Sequence, residues 1–274
     1  KYVIFENNQY KTTKNLTIKS DYLIEISATA VRYNMGETVS ILGASEPNKE
    51  TTIWIKDQGE KIVHYDIFKS NANGDLNYEF VTDNTFSSGT YTVIVKQDEG
   101  SDAALFGLGQ YPTTAIVVLM DKTNLALNSK AIISIVGPQA SKLSIAVLDS
   151  NDNIVLNDST VTSSFGKAKH TIDLSELSSG IYRAAVSTSN IQDSVKFSIG
   201  LEAGSGEISL ISTSENYSPG ESILVIGNTG NNARLTITLF DPSGNISSKT
   251  ETFSDGSGNF STEDIGIPSN AELG

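Results

Sequence analysis

The chain has 274 residues, enough for two or three ordinary domains, and no cysteine, which excludes a disulfide framework and any thiolate metal site. Its 32 acidic and 19 basic residues give a formal charge of −13, a balance that repels nucleic acid and anionic lipid. The longest apolar run, AIVVLM at 115–120, is far short of the roughly 20 residues a spanning helix needs, so no membrane span is expected.

In chain order, residues 1–24 come first and match none of the landmarks that follow. YVIF and NLTIKS there read as strand segments, either the tail of a preceding domain or an extension that pairs with a sheet edge. Lys1 opens the chain without an initiator methionine or a signal-peptide pattern, as expected of a processed protein or a piece of a larger one.

From Glu25 a repeat sets in. Copy one, 25–109, carries TVSILG ending at Gly43, TTIWIKD ending at Asp57, a lone Gly74, and FSSGTYTVIV with Tyr91. Copy two, 110–205, carries IISIVG ending at Gly137, LSIAVLD ending at Asp149, Gly166, and LSSGIYRAAV with Tyr182. Copy three, 206–274, carries SILVIG ending at Gly227, LTITLFD ending at Asp241, and Gly258. The aspartates and the glycines at 74, 166 and 258 each step by 92 residues. A third Ser-Ser-Gly-x-Tyr phrase would fall near residue 271, where the chain instead reads IPSNAELG. Copy three is therefore expected to lack its closing strand or strands. A fragment of a longer array explains that, and so does an open domain completed by a strand from elsewhere.

The repeated pieces alternate apolar and polar residues with a period of two: Val39/Ile41, Ile53/Ile55, Tyr91/Val93/Val95, and their counterparts Ile133/Ile135, Ile145/Val147 and Tyr182/Ala184/Val186. That period, rich in β-branched residues, predicts strands with one face on a core. Asp57-Gln-Gly59, Asp149 to Asn153 and Asp241 to Gly244 supply turn chemistry at one equivalent hairpin. LSELSS at 174–179 has room for one helical turn at most. About seven short strands per ~90 residues is the pattern of an immunoglobulin-like sandwich, so the fold class is all-β with tandem immunoglobulin-like β-sandwich domains. Trp54 is read as a lone core or interface aromatic, and the tyrosine after Ser-Gly as packing or capping the sandwich end. The glycine-rich junctions FGLGQYP and IGLEAGSGE are short, which predicts beads in close contact. Charge is uneven: copies one to three carry net −7, −1 and −7, and residues 1–24 carry +2.

Catalysis finds no foothold. The two histidines, His64 and His170, occupy non-equivalent places in their repeats, and no G-x-S-x-G, Walker loop or H-E-x-x-H motif is present. Asp149, Asn151 and Asn153 place hard oxygens at alternate positions, as calcium loops do, but without the glycine and distal glutamate of an EF-hand. An ordinary Asx-rich hairpin accounts for the same residues. Asp98, Glu99 and Asp102 are a further cation candidate, and a solvated loop again explains them. No cofactor is required, with Ca2+ or another divalent ion as the one expectation. N-x-[ST] sequons occur at Asn15, Asn157, Asn216, Asn245 and Asn259. Coincidence in a Ser/Thr-rich chain would also produce them. As a set they fit an exported glycoprotein, with Asn157 and Asn245 exposed by turn-like settings.

The stretches YNMGETVSILGAS, TIWIKDQGEKIV, ANGDLNYEFVTD and FSSGTYTVIVKQ, in acidic cysteine-free tandem sandwiches, resemble the surface-layer proteins of ammonia-oxidising archaea. The resemblance is clearest in copy one. It implies a string of immunoglobulin-like domains that self-associates into a porous two-dimensional lattice in the extracellular cell wall, N-glycosylated, assembled with divalent cations and without catalytic residues. Two rivals stay open: an adhesin or carbohydrate-binding stalk, and accessory domains of a large exported enzyme. The acidity adds the expectation that such a layer favours cations at its pores.

Overall fold

The computed structural model describes residues 2–6, 11–15, 24–83, 86–97, 100–201, 207–212 and 214–273, the side chains of 2–15, 263 and 264 excepted. All regular structure in these residues is β. No helix among them is long and apolar enough to cross a membrane. A two-stranded antiparallel ribbon leads, β1 (Tyr2–Glu6) with β2 (Lys11–Asn15).

Unit one follows with β3 (Glu25–Ala28), β4 (Arg32–Tyr33), β5 (Thr38–Ala44), β6 (Glu50–Lys56), β7 (Ile62–Lys69), β8 (Asp75–Val81), β9 (Gly89–Gln97) and β10 (Gly100–Leu108). Its sheets have the orders β3-β5-β8 and β4-β10-β9-β6-β7, with β4 parallel to β10 and the other pairs antiparallel. Unit two repeats every step: β11 (Val117–Met120), β12 (Asn124–Leu125), β13 (Lys130–Val136), β14 (Lys142–Leu148), β15 (Ile154–Val161), β16 (Lys167–Asp173), β17 (Gly180–Ser187) and β18 (Gln192–Ile199). Its sheets run β11-β13-β16 and β12-β18-β17-β14-β15, again with β12 parallel to β18. Two facing sheets with this strand order make immunoglobulin-like sandwiches. Eight strands rather than seven arise because the first segment of each unit divides its pairing between the two sheets.

The alternation read from the sequence becomes the core. Ile53 and Ile55 are fully buried, as are Ile145 and Val147, and each unit encloses a separate apolar cluster. In unit one Phe106 stacks on Tyr91 at 5.4 Å, and in unit two Phe197 stacks on Tyr182 at 5.7 Å. The tyrosine hydroxyls explain the Ser-Ser-Gly-x-Tyr phrase. Tyr91 donates to the Ser87 carbonyl at 2.7 Å, and Tyr182 to the Ser178 carbonyl at 2.9 Å. Each ties the turn into the closing hairpin to the ring that fills the sandwich end, the arrangement of a tyrosine corner.

The glycines at 74, 166 and 258 have one physical cause. Each has φ between +75° and +85°, and an added Cβ would lie 2.1 to 2.4 Å from the carbonyl oxygen of Ser45, Gly137 or Thr229. Those three residues donate their N–H to the glycine carbonyls at 2.8 Å, so the close approach closes a hydrogen bond in every unit. Only glycine satisfies both demands.

Unit three comprises β19 (Ser209–Ser212), β20 (Ser222–Asn228), β21 (Arg234–Phe240), β22 (Ile246–Phe253) and β23 (Asn259–Gly266). They form the three-stranded sheet β19-β20-β23 and a two-stranded sheet β21-β22. Among the described residues there is no counterpart of the hairpin β9-β10 or β17-β18. β21 is thus paired on one side, where β6 and β14 are paired on both.

Candidate interaction surfaces

Three features could carry function: the polar pins that hold the units, the junction of units one and two, and the contact of unit three with unit one. The pins come from carboxylates on the closing strands. Asp102 of β10 accepts the Ile26 N–H of β3 at 2.8 Å, and Asp193 of β18 accepts the Val118 N–H of β11 at 2.7 Å. Each crosses from one sheet to the other. Burial pushes the Asp193 carboxyl up, opposed by the N–H groups of Val118 and Ser194 and by Lys56. A second pin lies at the other sandwich edge, where the Tyr78 hydroxyl donates to Asp66 at 2.9 Å and His170 meets Asp158 at 2.7 Å. Tyr78 and His170 stand 92 residues apart, as do Asp66 and Asp158. His170 therefore does the structural work of a tyrosine. The hydrogen bond from His170 holds the Asp158 carboxyl below the usual carboxylate range. His64 adds its ring to Tyr78 at 2.6 Å, and burial pushes its pKa down despite Asp66 and Asp83.

At the junction of units one and two, Ala103, Val117 and Val136 are buried together, with Ile94, Leu105 and Leu119 packed against them. The Lys167 ammonium of β16 reaches across to the Asp102 carboxylate and donates to the Ile26 carbonyl, the latter at 2.7 Å. Asp102 is thus engaged by the Ile26 N–H and by Lys167, which corrects its reading as a solvated loop or cation ligand. Asp98 and Glu99 lie outside the described residues.

Unit three meets unit one on the outward face of β7. The Tyr65 hydroxyl bonds Ser248 at 3.3 Å, the Ser269 N–H donates to the Tyr65 carbonyl at 3.1 Å, and Gly266 sits against the Tyr65 ring. Trp54 lies half-buried on this same face, its ring 5.8 Å from that of Tyr65, so it is a surface aromatic beside a contact and not a core residue. A shallow groove of about 450 Å³ nearby is lined by Asn48, Glu50, Ile67, Phe68 and Lys69, which bring no nucleophile with a base to one point.

At the hairpin of 149–153, Asp149 Oδ1 accepts the N–H groups of Asn151 and Asn153 at 2.8 and 2.9 Å, and Oδ2 accepts the Asn153 amide at 3.1 Å. These bonds, from the Asn153 side chain first, hold the carboxyl below its usual range. Asp241 engages Asn245 in the same way, at 2.8 and 2.9 Å. Among the described residues, no three His, Asp or Glu side chains gather closely enough to hold a metal ion.

The sequons occupy varied settings. Asn157 is exposed in the middle of β15, an edge strand, rather than in the turn expected of it. The turn belongs to the preceding residues, 149–153. Asn216, Asn245 and Asn259 are exposed as well, although Asn245 spends its amide on Asp241 and Asn259 accepts from Asn228 at 3.1 Å. Asn15 ends β2, opposite Tyr2.

Residues 122–200, most of unit two, match the family model of a secretion system C-terminal sorting domain. No curated protein matches the chain. Among solved structures, a tetra-tandem repeat from the extending region of a large adhesion protein is similar at 19% identity and a TM-score of 0.29, over 90% of this chain and 66% of that one. The native conformation of E. coli α2-macroglobulin follows at 9% identity and a TM-score of 0.29, over 97% of this chain and 23% of that one. A 1.5-MDa bacterial ice-binding adhesin has 13% identity and a TM-score of 0.24, over 88% and 86%. The chain spans less than two thirds of the length of the first two.

Proposed function

We propose that this chain is an exported structural building block, a stiff segment of tandem sandwiches that serves a cell-surface assembly by its shape and contacts and has no reaction centre. The observation that carries this reading is the junction of units one and two. An apolar cluster and a buried carboxylate engaged from both sides join two otherwise self-contained domains. A flexible tether would need neither, whereas a load-bearing rod or lattice strut needs its angle held. The sorting-domain match over 122–200 supports export. The net charge of −13 supports a hydrated, cation-attracting surface.

The finer form of the proposal is a subunit of a porous surface layer like those of ammonia-oxidising archaea, N-glycosylated at some of Asn15, Asn157, Asn216, Asn245 and Asn259. Divalent ions would assist its assembly, Asp149, Asn151 and Asn153 being one point of contact. Electron microscopy of the purified chain with and without calcium tests it: ordered sheets support the layer, and dispersed particles under every condition overturn it. Intact-mass measurement on native material reads the glycans. Small-angle scattering of Val117→Asp tests the rod itself, since a broken junction should widen the spread of inter-unit distances.

A second reading is favoured by the sorting-domain match alone. Unit two would then act as an address for export, with the flanking units as stalk or accessory domains of an adhesin or enzyme. Export of a reporter fused to 110–205 would support it, and retention of that reporter would count against it.

A further inference from the structure

Units one and two join through a seat and a mating face, and the same two surfaces recur, unmated, between units two and three. The seat on unit one is the outward side of the hairpin β9-β10, where Ile94 pairs with Ala103 and Leu105 follows. The mating face on unit two is the outward side of its smaller sheet, Val117 and Leu119 of β11 beside Val136 of β13. Lys167, opposite Val136 on β16, closes the rim by gripping Asp102 and the Ile26 carbonyl.

The strand pairings give the equivalent positions one unit later. Ala185 of β17 pairs with Ser194 of β18 as Ile94 does with Ala103, and Lys196 stands for Leu105. Ser209 of β19 pairs with Asn228 of β20 as Val117 does with Val136, and Ile211 stands for Leu119. Asn259, opposite Asn228 on β23, stands for Lys167. Of the six apolar positions, only Ala185 and Ile211 stay apolar, and the gripping lysine is gone. The surfaces respond accordingly. Ala103 is 1% exposed, whereas Ser194 is open to solvent. Ile211 and its neighbour Ile226 are 74% and 47% exposed, whereas Leu119 is half-buried and Ser134, the counterpart of Ile226, is 3% exposed. A groove of about 230 Å³ lies on the seat of unit two, lined by Arg183, Ala185, Gln192, Asp193 and Ser194. Asp193 keeps its bond to Val118 within unit two, and Asn259 accepts from Asn228 within unit three. Among the described residues, one apolar cluster is shared by units one and two, and none by units two and three.

Neighbouring domains move relative to one another unless a large apolar interface holds them. We propose that units one and two form one rigid arm and that the chain bends at the boundary of units two and three. The contact of unit three with Tyr65 is one setting that such a joint permits, and the joint does not depend on it. The inference deepens the building-block reading and rests on it for its purpose. It confines the stiffness to units one and two and lets the arm adjust its angle to whatever unit three meets.

The chain has no cysteine, so introduced cysteines carry spin labels at chosen points. Gln58, Asn151 and Ser243 are exposed in the equivalent hairpins of the three units. The full chain is measured with Tyr65→Thr, which weakens the contact of unit three with unit one. Electron spin distance measurements should then give a narrow distribution for Gln58→Cys/Asn151→Cys and a broad one for Asn151→Cys/Ser243→Cys. Val117→Ser/Val136→Asn/Lys167→Asn gives unit two the residues of unit three and should broaden the first pair. Ile94→Ala/Ala103→Ser/Leu105→Lys gives unit one the seat of unit two and should do the same from the other side. A narrow Asn151/Ser243 distribution overturns the joint alone. So does a Gln58/Asn151 pair that stays narrow in both triple variants. A broad Gln58/Asn151 distribution before either triple substitution overturns the rigid arm and the stiff-segment reading together.

Discussion

Units two and three share a period, a turn chemistry and a set of landmark glycines, yet they differ in how much of their apolar surface they bury. In unit two the buried cluster draws on seven of the eight strands, with Leu156 of β15 packed against it, and encloses Phe197 and Tyr182. In unit three it shrinks to Val225, Leu235, Phe260 and Ile265, with Ile223, Ile237 and Leu239 at its margin. Ile237 and Leu239 have the same pattern in sequence as Ile145 and Val147, but among the described residues β21 has a strand on one side only, β22. A strand's alternation states which face seeks a core; a second strand decides whether it finds one.

That contrast can be broken most strongly at the buried rings. Phe197→Ala should cost about 3–5 kcal/mol in the unfolding transition of unit two, by lost transfer energy and a residual cavity. Phe260→Ala, in a core open on one side, should cost less than half of that because its surroundings can collapse or hydrate. Urea melts followed by exchange at unit-specific amides would separate the two transitions, and equal losses would deny the difference.

Next in size are the inter-sheet clamps. Asp193→Ala leaves the Val118 N–H, on a residue only 4% exposed, without its acceptor and should cost about 1–3 kcal/mol. Asp193→Asn keeps an oxygen acceptor and should cost less. Smaller again is Tyr182→Phe, which deletes the bond to the Ser178 carbonyl while the ring remains. A loss of about 1 kcal/mol is expected, and Tyr91→Phe should match it in unit one. A zero effect at both would show that the Ser-Ser-Gly-x-Tyr phrase is held for packing alone.

The smallest effect is with acid. Hydrogen bonds within their turns hold the carboxyls of Asp149, Asp241 and Asp255 below the usual value of 3.8. A carboxyl depressed on folding contributes stability that is present above its unfolded pKa and lost as pH falls through the folded one. These turns should therefore loosen only below the ordinary carboxylate range. The raised Asp193 has the opposite sign: its ionisation opposes folding as pH rises through its folded pKa. In an acid titration, the pH dependence of stability removed by Asp149→Asn and that removed by Asp193→Asn should have opposite signs.

Much of this molecule is legible in its sequence. The strands follow from the period of two, and the hairpins from Asx and Gly. The clamps were not legible, because an aspartate in a strand reads as solvent-facing until its strand is placed across from another sheet. Asp102 in particular was grouped with its chain neighbours Asp98 and Glu99, while its partners are Ile26 and Lys167, far away along the chain.

By itself, the sequence determined the local elements, their order and their repetition, since backbone preference and apolar alternation act over a few residues. The tertiary structure alone decided which carboxylates join sheets and how units one and two lock. These depend on residues that are distant in the chain, and their pairing energy exists only after the sheets have met.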